Sequence, residues 1–432
     1  MAIGSWRELW YHIGSKGRAH KTRRQALKPK LRELEVHFVK QGGQQGILLR
    51  DPLRLSDRAI YLPLSLAPLV ELCDGTRDEA GLRASLAVRA GVQLGPATLE
   101  RILTQLDEAL LLDNERFAEA HAAALRDFRT ATLRPPVLAG ESYPDDAEGL
   151  AEAMSGYLDA VDETEPTAEV AQDEIRGLIS PHIDYERGGT VYAQVWQRAA
   201  AAVRDAEIAI IFGTDHMGGD ARLTLTHQRY ATPWGALPTA NHIVDKVARE
   251  LGPEVVFRDE LHHRGEHSIE LAVIWLRYFL GDRECELLPV LCGSYDPFVE
   301  GEGAPGQDRQ ISAALDVMRE ATASRKAIVI AAGDLAHVGP AFGDRYAFDF
   351  AERARLKAAD DALMASICDG DEEAFFQQVK EEEDRRRICG LPPIYMALRL
   401  LGDTRGVVTG YAQCPADEQG TSFVSICGIA LA

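Results

Sequence analysis

The stretch Ile208-Ala-Ile-Ile-Phe-Gly-Thr-Asp-His-Met-Gly-Gly219 decides how the chain is read. Its apolar, β-branched run is too short for a surface helix and has no polar face. It therefore predicts a strand buried on both sides. The run ends at Gly213, and Asp215 and His216 follow at once. The same order recurs twice. Gly177-Leu-Ile-Ser-Pro181 leads to His182 and Asp184, and Ala327-Ile-Val-Ile-Ala-Ala332 leads to Gly333, Asp334 and His337. Three buried strands thus deliver metal-competent side chains just past their carboxyl ends. That rim is where open parallel sheets bind ligands.

From Arg176 to Ala432, apolar stretches alternate with helical patterns. The strands are expected near 178–181, 207–213, 287–292, 327–332, 406–411 and 423–431. This order implies an α/β domain with a mainly parallel central sheet and helices on both faces.

Three smaller segments come before it. Residues 1–30 form a basic head with Arg7, Lys16, Arg18, Lys21, Arg23, Arg24, Lys28 and Lys30. Trp6, Leu9, Trp10 and Ile13 there have helical spacing, which suits a tail docked on its own protein or a helix for a partner or membrane surface. Residues 31–117 read as a small winged-helix-like α+β domain. It opens with a hairpin, Leu34–Val39 and Gly46–Arg50 around a Gln41–Gly46 turn. A helix at about Ser65–Cys73 follows, and Thr76 is expected to cap a second, with Glu79 at the capping-box position. A third helix, about Thr98–Ala109, carries Leu99, Ile102, Leu103, Leu106 and Leu110 on its apolar face. Residues 118–175 read as a connector. It holds a helix to about Arg129, a break at Pro135-Pro136, a turn at Ala139–Pro144, a helix over Asp145–Leu158 and an acidic surface loop, Asp162–Asp173.

The 432 residues suffice for two or three cores, and the net charge of −20 argues against nucleic acid as a main partner. No apolar run reaches the ~18 residues that a membrane span needs. Charges and Gly stand where a signal peptide has its apolar core, so a cytoplasmic protein is expected. Seven scattered cysteines without a CxxC pair argue against a zinc ribbon or a disulfide framework.

Imidazole, carboxylate and thiolate all bind metals, and two His with an anionic third ligand suit redox ions. The candidates are His182, His216, Glu266, His267, Asp334, His337 and Cys389. Glu266-His267-Ser268 opens an apolar-periodic helix, so these groups either face a site with the positive dipole end behind them or form an N-cap cluster. Cys389 precedes a helix, a place that lowers a thiol pKa, and the alternative is an inert buried Cys. His262 and His263 read as loop residues. Trp234, in Thr232-Pro-Trp-Gly-Ala-Leu-Pro238, is expected to wall a substrate pocket or to be core. Asp184, Asp215 and Glu266 are expected beside the substrate.

Two resemblances follow from these residues. Arg50-Asp-Pro-Leu53, Leu72-Cys-Asp-Gly-Thr76 and Leu106-Asp-Glu-Ala-Leu-Leu111, followed by Arg116-Phe117, resemble a PqqD-like domain. That resemblance implies peptide recognition by strand addition at the hairpin edge, with a plain spacer domain as the alternative. Ser180-Pro-His-Ile-Asp-Tyr185, Gly213-Thr-Asp-His216, Glu266-His-Ser268, Leu288-Pro-Val-Leu-Cys-Gly293, Gly333-Asp-Leu-Ala-His337 and Ile388-Cys-Gly-Leu-Pro392 resemble the Memo family in content and order. The family is also called AmmeMemoRadiSam system protein B, and its fold is similar to class III extradiol dioxygenases.

The Memo resemblance implies His182 and His216 as two metal ligands, Cys389 in the third place, His337 as acid/base with Asp334 orienting it, and His267 lining the pocket. It implies one iron or copper ion, with zinc as an alternative because thiolate is softer than carboxylate. It also implies a small-molecule or peptide ligand, and a radical SAM protein and an AMMECR-type protein as partners. Several Memo proteins have Ser-His-His where this chain has Asp215-His216-Met217. Two functions are therefore weighed. One is a metal-dependent, dioxygenase-like redox enzyme. The other is a binding module that holds a peptide or small ligand in the same pocket.

Overall fold

The computed structural model describes residues 28–161, 174–301 and 303–432. The expected helix around Trp6–Ile13 and the acidic loop at 162–173 lie outside the described residues. The chain forms two compact units, one ending at Asp127 and one running from Phe128 to Ala432.

In the first unit, β1 (Glu35–Gln41) and β2 (Gln44–Arg50) make the expected hairpin around Gly42 and Gly43. Both glycines have positive φ, the two-residue turn that follows the strands' own twist. A third strand, β3 (Ile60–Pro63), pairs with β2. It was not foreseen, because four residues are too few to show a period. The helix Glu79–Ala90 is capped by Asp78, which accepts from the Gly81 amide. The expected cap, Thr76, instead donates its amide and hydroxyl to Asp74. The helix Pro96–Glu108 buries Leu99, Ile102, Leu103 and Leu106. Leu110 leaves that face at a φ of 60°, and Leu111 takes a fully buried position.

The second unit is built on an eight-stranded sheet. At its centre β4 (Gly177–Ser180), β10 (Ala327–Ala332), β5 (Ile208–Thr214) and β9 (Glu286–Cys292) lie side by side in that order, all parallel. Antiparallel strands complete it. β6 (Leu223–Leu225) pairs with β9, β13 (Phe423–Leu431) pairs with β4, and β11 (His337–Val338) and β12 (Gly406–Pro415) both pair with β13. A separate hairpin joins β7 (Tyr230–Thr232) to β8 (Gly235–Leu237).

Alternation along β5 explains its unbroken apolar run. Ile208, Ile210 and Phe212 enter one core cluster, and Ala209 and Ile211 enter the other. Helices Asn241–Leu251, Arg309–Thr322 and Leu391–Leu401 supply the first cluster, and Tyr185–Arg198 and Ser268–Leu280 supply the second. With both faces covered, no position on the strand can stay polar without cost.

One buried ion pair fixes the start of this unit to a helix beside the rim. Arg134 and Glu270, 0% and 1% exposed, face each other. Arg134 also donates to the carbonyls of His263 (2.8 Å) and Glu266 (2.6 Å). Glu270 accepts from the amides of Val137 (2.9 Å) and Leu138 (2.8 Å) and from the Tyr143 hydroxyl (2.6 Å). Removing one charge from such a pair leaves the other stranded. Glu270→Gln should therefore lose roughly 3–5 kcal/mol of stability in urea unfolding. A loss below about 1 kcal/mol would show that neutral hydrogen bonds suffice there.

Candidate metal centre

His182 lies two residues beyond β4. Its Nδ1 is 3.0 Å from the Ala332 carbonyl. A carbonyl can only accept, so Nδ1 carries the proton and Nε2 keeps its lone pair. That Nε2 lies 3.1 Å from the Cys389 Sγ. The His182 amide donates to Asp334 Oδ1 at 2.8 Å, which ties the ends of β4 and β10 together.

His216 follows β5. Its Nδ1 lies 3.0 and 3.2 Å from the two Glu266 oxygens, and its amide donates to the same carboxylate at 3.0 Å. Glu266 also accepts from the amides of His267 (2.8 Å) and Ser268 (2.9 Å) at the start of the helix Ser268–Leu280. Gly213 permits this approach, since a Cβ there would sit 2.6 Å from the Ser268 Oγ and from Ile269. The His267 ring stacks on His216 at 4.8 Å, and the His182 ring stands edge-on to both.

Cys389 enters from a different direction, two residues before the helix Leu391–Leu401. Its carbonyl accepts from Thr214 Oγ1 at 2.8 Å, and the Gly390 amide donates to the Asp334 carbonyl at 2.8 Å. Gly333 and Gly390 make this possible, because a Cβ on Gly333 would meet the Gly390 Cα at 2.5 Å.

Among the described residues, three overlapping groups have ligand atoms within 4.8 Å of one another. They are His182–His216–Cys389, His216–Glu266–His267 and Asp334–His337–Cys389. The first fits a metal by its chemistry. It offers two imidazoles with Nδ1 committed elsewhere, together with a thiol. Two ligands of one tetrahedral ion, at ~2.1 Å for nitrogen and ~2.3 Å for sulfur, stand about 3.5 Å apart. The observed 3.1 Å between nitrogen and sulfur is close to that. His182 and Glu266 are closed off, whereas the side chains of His216 and His267 are 25% and 37% exposed, so the centre opens on that side.

The electrostatics separate the rings. Burial, with His216 nearby, pushes His182 down to about 3. Burial likewise pushes His267 and His337 down to about 4, so these rings are neutral at pH 7. His216 is the exception. Burial pulls it down, but the Glu266 carboxylate overcomes this and holds it well above the ordinary histidine range. Glu266 is in turn held well below the carboxylate range, its burial outweighed by His216, His267 and the amides around it. The expected lowering of the Cys389 thiol is not what the structure shows. Burial raises it and outweighs the contact with His216. Ion binding here must displace protons from Cys389 and His216.

The other expected site residues are placed as follows. Asp334 supports the His182 amide, while the His337 Nδ1 faces the Arg387 carbonyl at 3.0 Å. Glu266 lies behind His216 with its oxygens taken. Asp215 is buried and accepts from His262 Nδ1 at 2.8 Å. Asp184 caps the helix Tyr185–Arg198 and pairs with Arg187 at 2.7 Å. Trp234 donates from Nε1 to the Ala147 carbonyl at 3.0 Å and packs on Tyr278. His262, read from the sequence as a loop residue, lies in the short helix Glu260–Arg264 and turns its ring to Asp215. The main-chain carbonyls of Arg386 and Arg387 contact His337, and no side-chain pattern reveals such contacts.

An α/β sheet with imidazoles and a thiol gathered at its carboxyl rim defines a protein equipped to hold a metal ion. The family model described as Memo-like protein matches residues 134–429, and the chain belongs to that family. A MEMO1 family protein of Aquifex aeolicus (strain VF5) is 26% identical over 400 residues, covering 91% of this chain and 98% of its own. An alignment of that length exceeds the whole second unit, so it reaches into the first. The MEMO1 family proteins of Methanosarcina mazei and Methanopyrus kandleri are each 26% identical over 65% of this chain and 91% of theirs.

Groups that orient a ligating histidine usually contribute about 10–100-fold to metal affinity. Glu266→Gln should weaken binding by roughly that factor in a chelator competition titration, with the far-ultraviolet spectrum unchanged. Wild-type affinity in this variant would show that the carboxylate does not set the His216 ring.

Proposed function

We propose that the chain is a metal-dependent redox protein in which His182, His216 and Cys389 hold one iron or copper ion. The observation that supports this is the convergence of their three donor atoms within 4.8 Å, from segments far apart in the chain. A thiolate in the third place makes the set softer than two histidines and a carboxylate, which suits thiolate-bound iron or copper(I). When bound, the ion supplies one-electron chemistry and polarises a dioxygen or substrate oxygen at the rim. The chain's own groups do the rest. Glu266 orients His216, and Asp334 holds the His182 backbone. His337, with Nδ1 turned to a carbonyl, takes up or releases a proton at Nε2. A small molecule or peptide enters past His216 and His267, the exposed side. In this reading the protein works in the cytoplasm beside a radical SAM protein and an AMMECR-type protein.

A second reading, a binding module, has one observation in its favour. β1 is an edge strand of its three-stranded sheet, and Phe38 on it is 55% exposed. An extended peptide adds to such an edge as another strand, as the PqqD-like resemblance suggests. Anaerobic loading with iron, followed by oxygen uptake with catechols, separates the two. Turnover belongs to the enzyme reading alone.

Purified wild-type protein should carry close to one metal ion per chain, and His216→Ala should lose most of it, by elemental analysis. Negligible and equal metal in both would sink the metal reading. His337→Ala should keep the ion and lose turnover by about 100-fold or more, the usual weight of a general acid or base. Loss of the ion would make His337 a ligand instead.

A further inference from the structure

The segment leading into Cys389 has an unusual backbone. Glu383, Asp384 and Arg387 have φ of 55°, 43° and 55°. Non-glycine residues rarely hold this left-handed conformation, and it persists only where the surroundings enforce it. Here they do. The Ile388 amide donates to Asp384 Oδ1 at 2.8 Å. Arg386 pairs with buried Asp360 at 2.7 Å. Arg387 pairs with Asp344 at 2.8 Å and donates to the His337 carbonyl at 2.9 Å.

The consequence falls on one histidine. The carbonyl of Arg386 accepts from the His337 amide at 2.7 Å, and that of Arg387 faces its Nδ1 at 3.0 Å. On the other side, the Phe342 ring meets His337 edge-on at 5.2 Å. His337 is thereby clamped by the loop that, two residues later, delivers Cys389.

We propose that Arg387 is a positioning residue, whose left-handed backbone aims its main-chain carbonyl at His337 and holds that ring as the Nδ1–H tautomer. This leaves the lone pair on Nε2, in a ring grouped with Asp334 and Cys389. The guanidinium, tied to Asp344, is a second anchor and not the determinant. The inference deepens the function proposed above and rests on it for the use made of His337.

The test reads the tautomer in metal-free protein labelled with 15N-histidine. Long-range proton–nitrogen spectra are recorded near pH 7.5, and the His337 signals are identified by their loss in His337→Gln. Wild type should show the proton on Nδ1. Arg387→Asn tolerates positive φ and keeps the carbonyl, so its tautomer ratio should stay within about twofold of wild type. Arg387→Val, β-branched and strained at that φ, should raise the other tautomer by about fivefold, the equilibrium weight of one ordinary hydrogen bond. A wild-type proton on Nε2, an unchanged Arg387→Val, or an Arg387→Asn that shifts as far as Val would each overturn the assignment. Should Arg387→Val fail to fold, Arg387→Ala takes its place, since its Cβ also disfavours that φ, and an unchanged tautomer ratio there overturns the assignment. The metal content of His216→Ala reports separately on the metal reading, so the two can fail independently.

Discussion

An imidazole whose Nδ1 is already bonded can offer only Nε2, and everything at this rim depends on that commitment. His182 turns Nδ1 to the carbonyl of Ala332, the last residue of β10. His216 turns Nδ1 to the Glu266 carboxylate. His337 turns Nδ1 to the Arg387 carbonyl. The three acceptors are unrelated in sequence and alike in effect, since each is itself held in place. The rings are therefore oriented by backbone and by a buried carboxylate before any ligand arrives, which spares a bound ion the entropy of ordering them.

Glu266 shows how such an arrangement is sustained. A carboxylate only 1% exposed is tolerable when donors surround it. Three backbone amides and one ring nitrogen do so, at a helix N-terminus where amides point outward. Behind it, Arg134 grips the Glu266 carbonyl and pairs with Glu270 one turn along the same helix. The residue that opens the family match is thus linked to a candidate metal ligand through a short series of buried polar contacts.

The first unit has its own core, centred on Leu49, Leu82, Leu86, Leu99 and Leu106. The Methanosarcina mazei and Methanopyrus kandleri relatives align with 65% of this chain over 91% of their own length, which leaves no room in them for a comparable unit. The Aquifex aeolicus relative, aligned over 400 residues, extends into it. The Memo-like body thus occurs both with and without a sequence matching the small unit. Among the described residues, the three groups that could hold a metal lie in the second unit, and β1, an edge strand that exposes Phe38, lies in the first.

Local pattern was enough to place β4, β5 and β10, because a strand buried on both faces must be apolar at every position. It was also enough to show polar, metal-competent residues following each of them, and to locate the helices before residue 160 within a few residues. Weak local signals failed. β3, β6 and β11 have two to four residues each, and the choice between Thr76 and Asp78 as a cap turned on a neighbouring carboxylate. What only the tertiary structure decided is which atoms meet. The order β4–β10–β5 brings residues 182, 216 and 334 to one rim, and the Gly333–Gly390 contact admits Cys389 beside them. The raised thiol, the charged His216–Glu266 pair and the carbonyl behind His337 all depend on groups distant along the chain, so no window of neighbouring residues could have shown them.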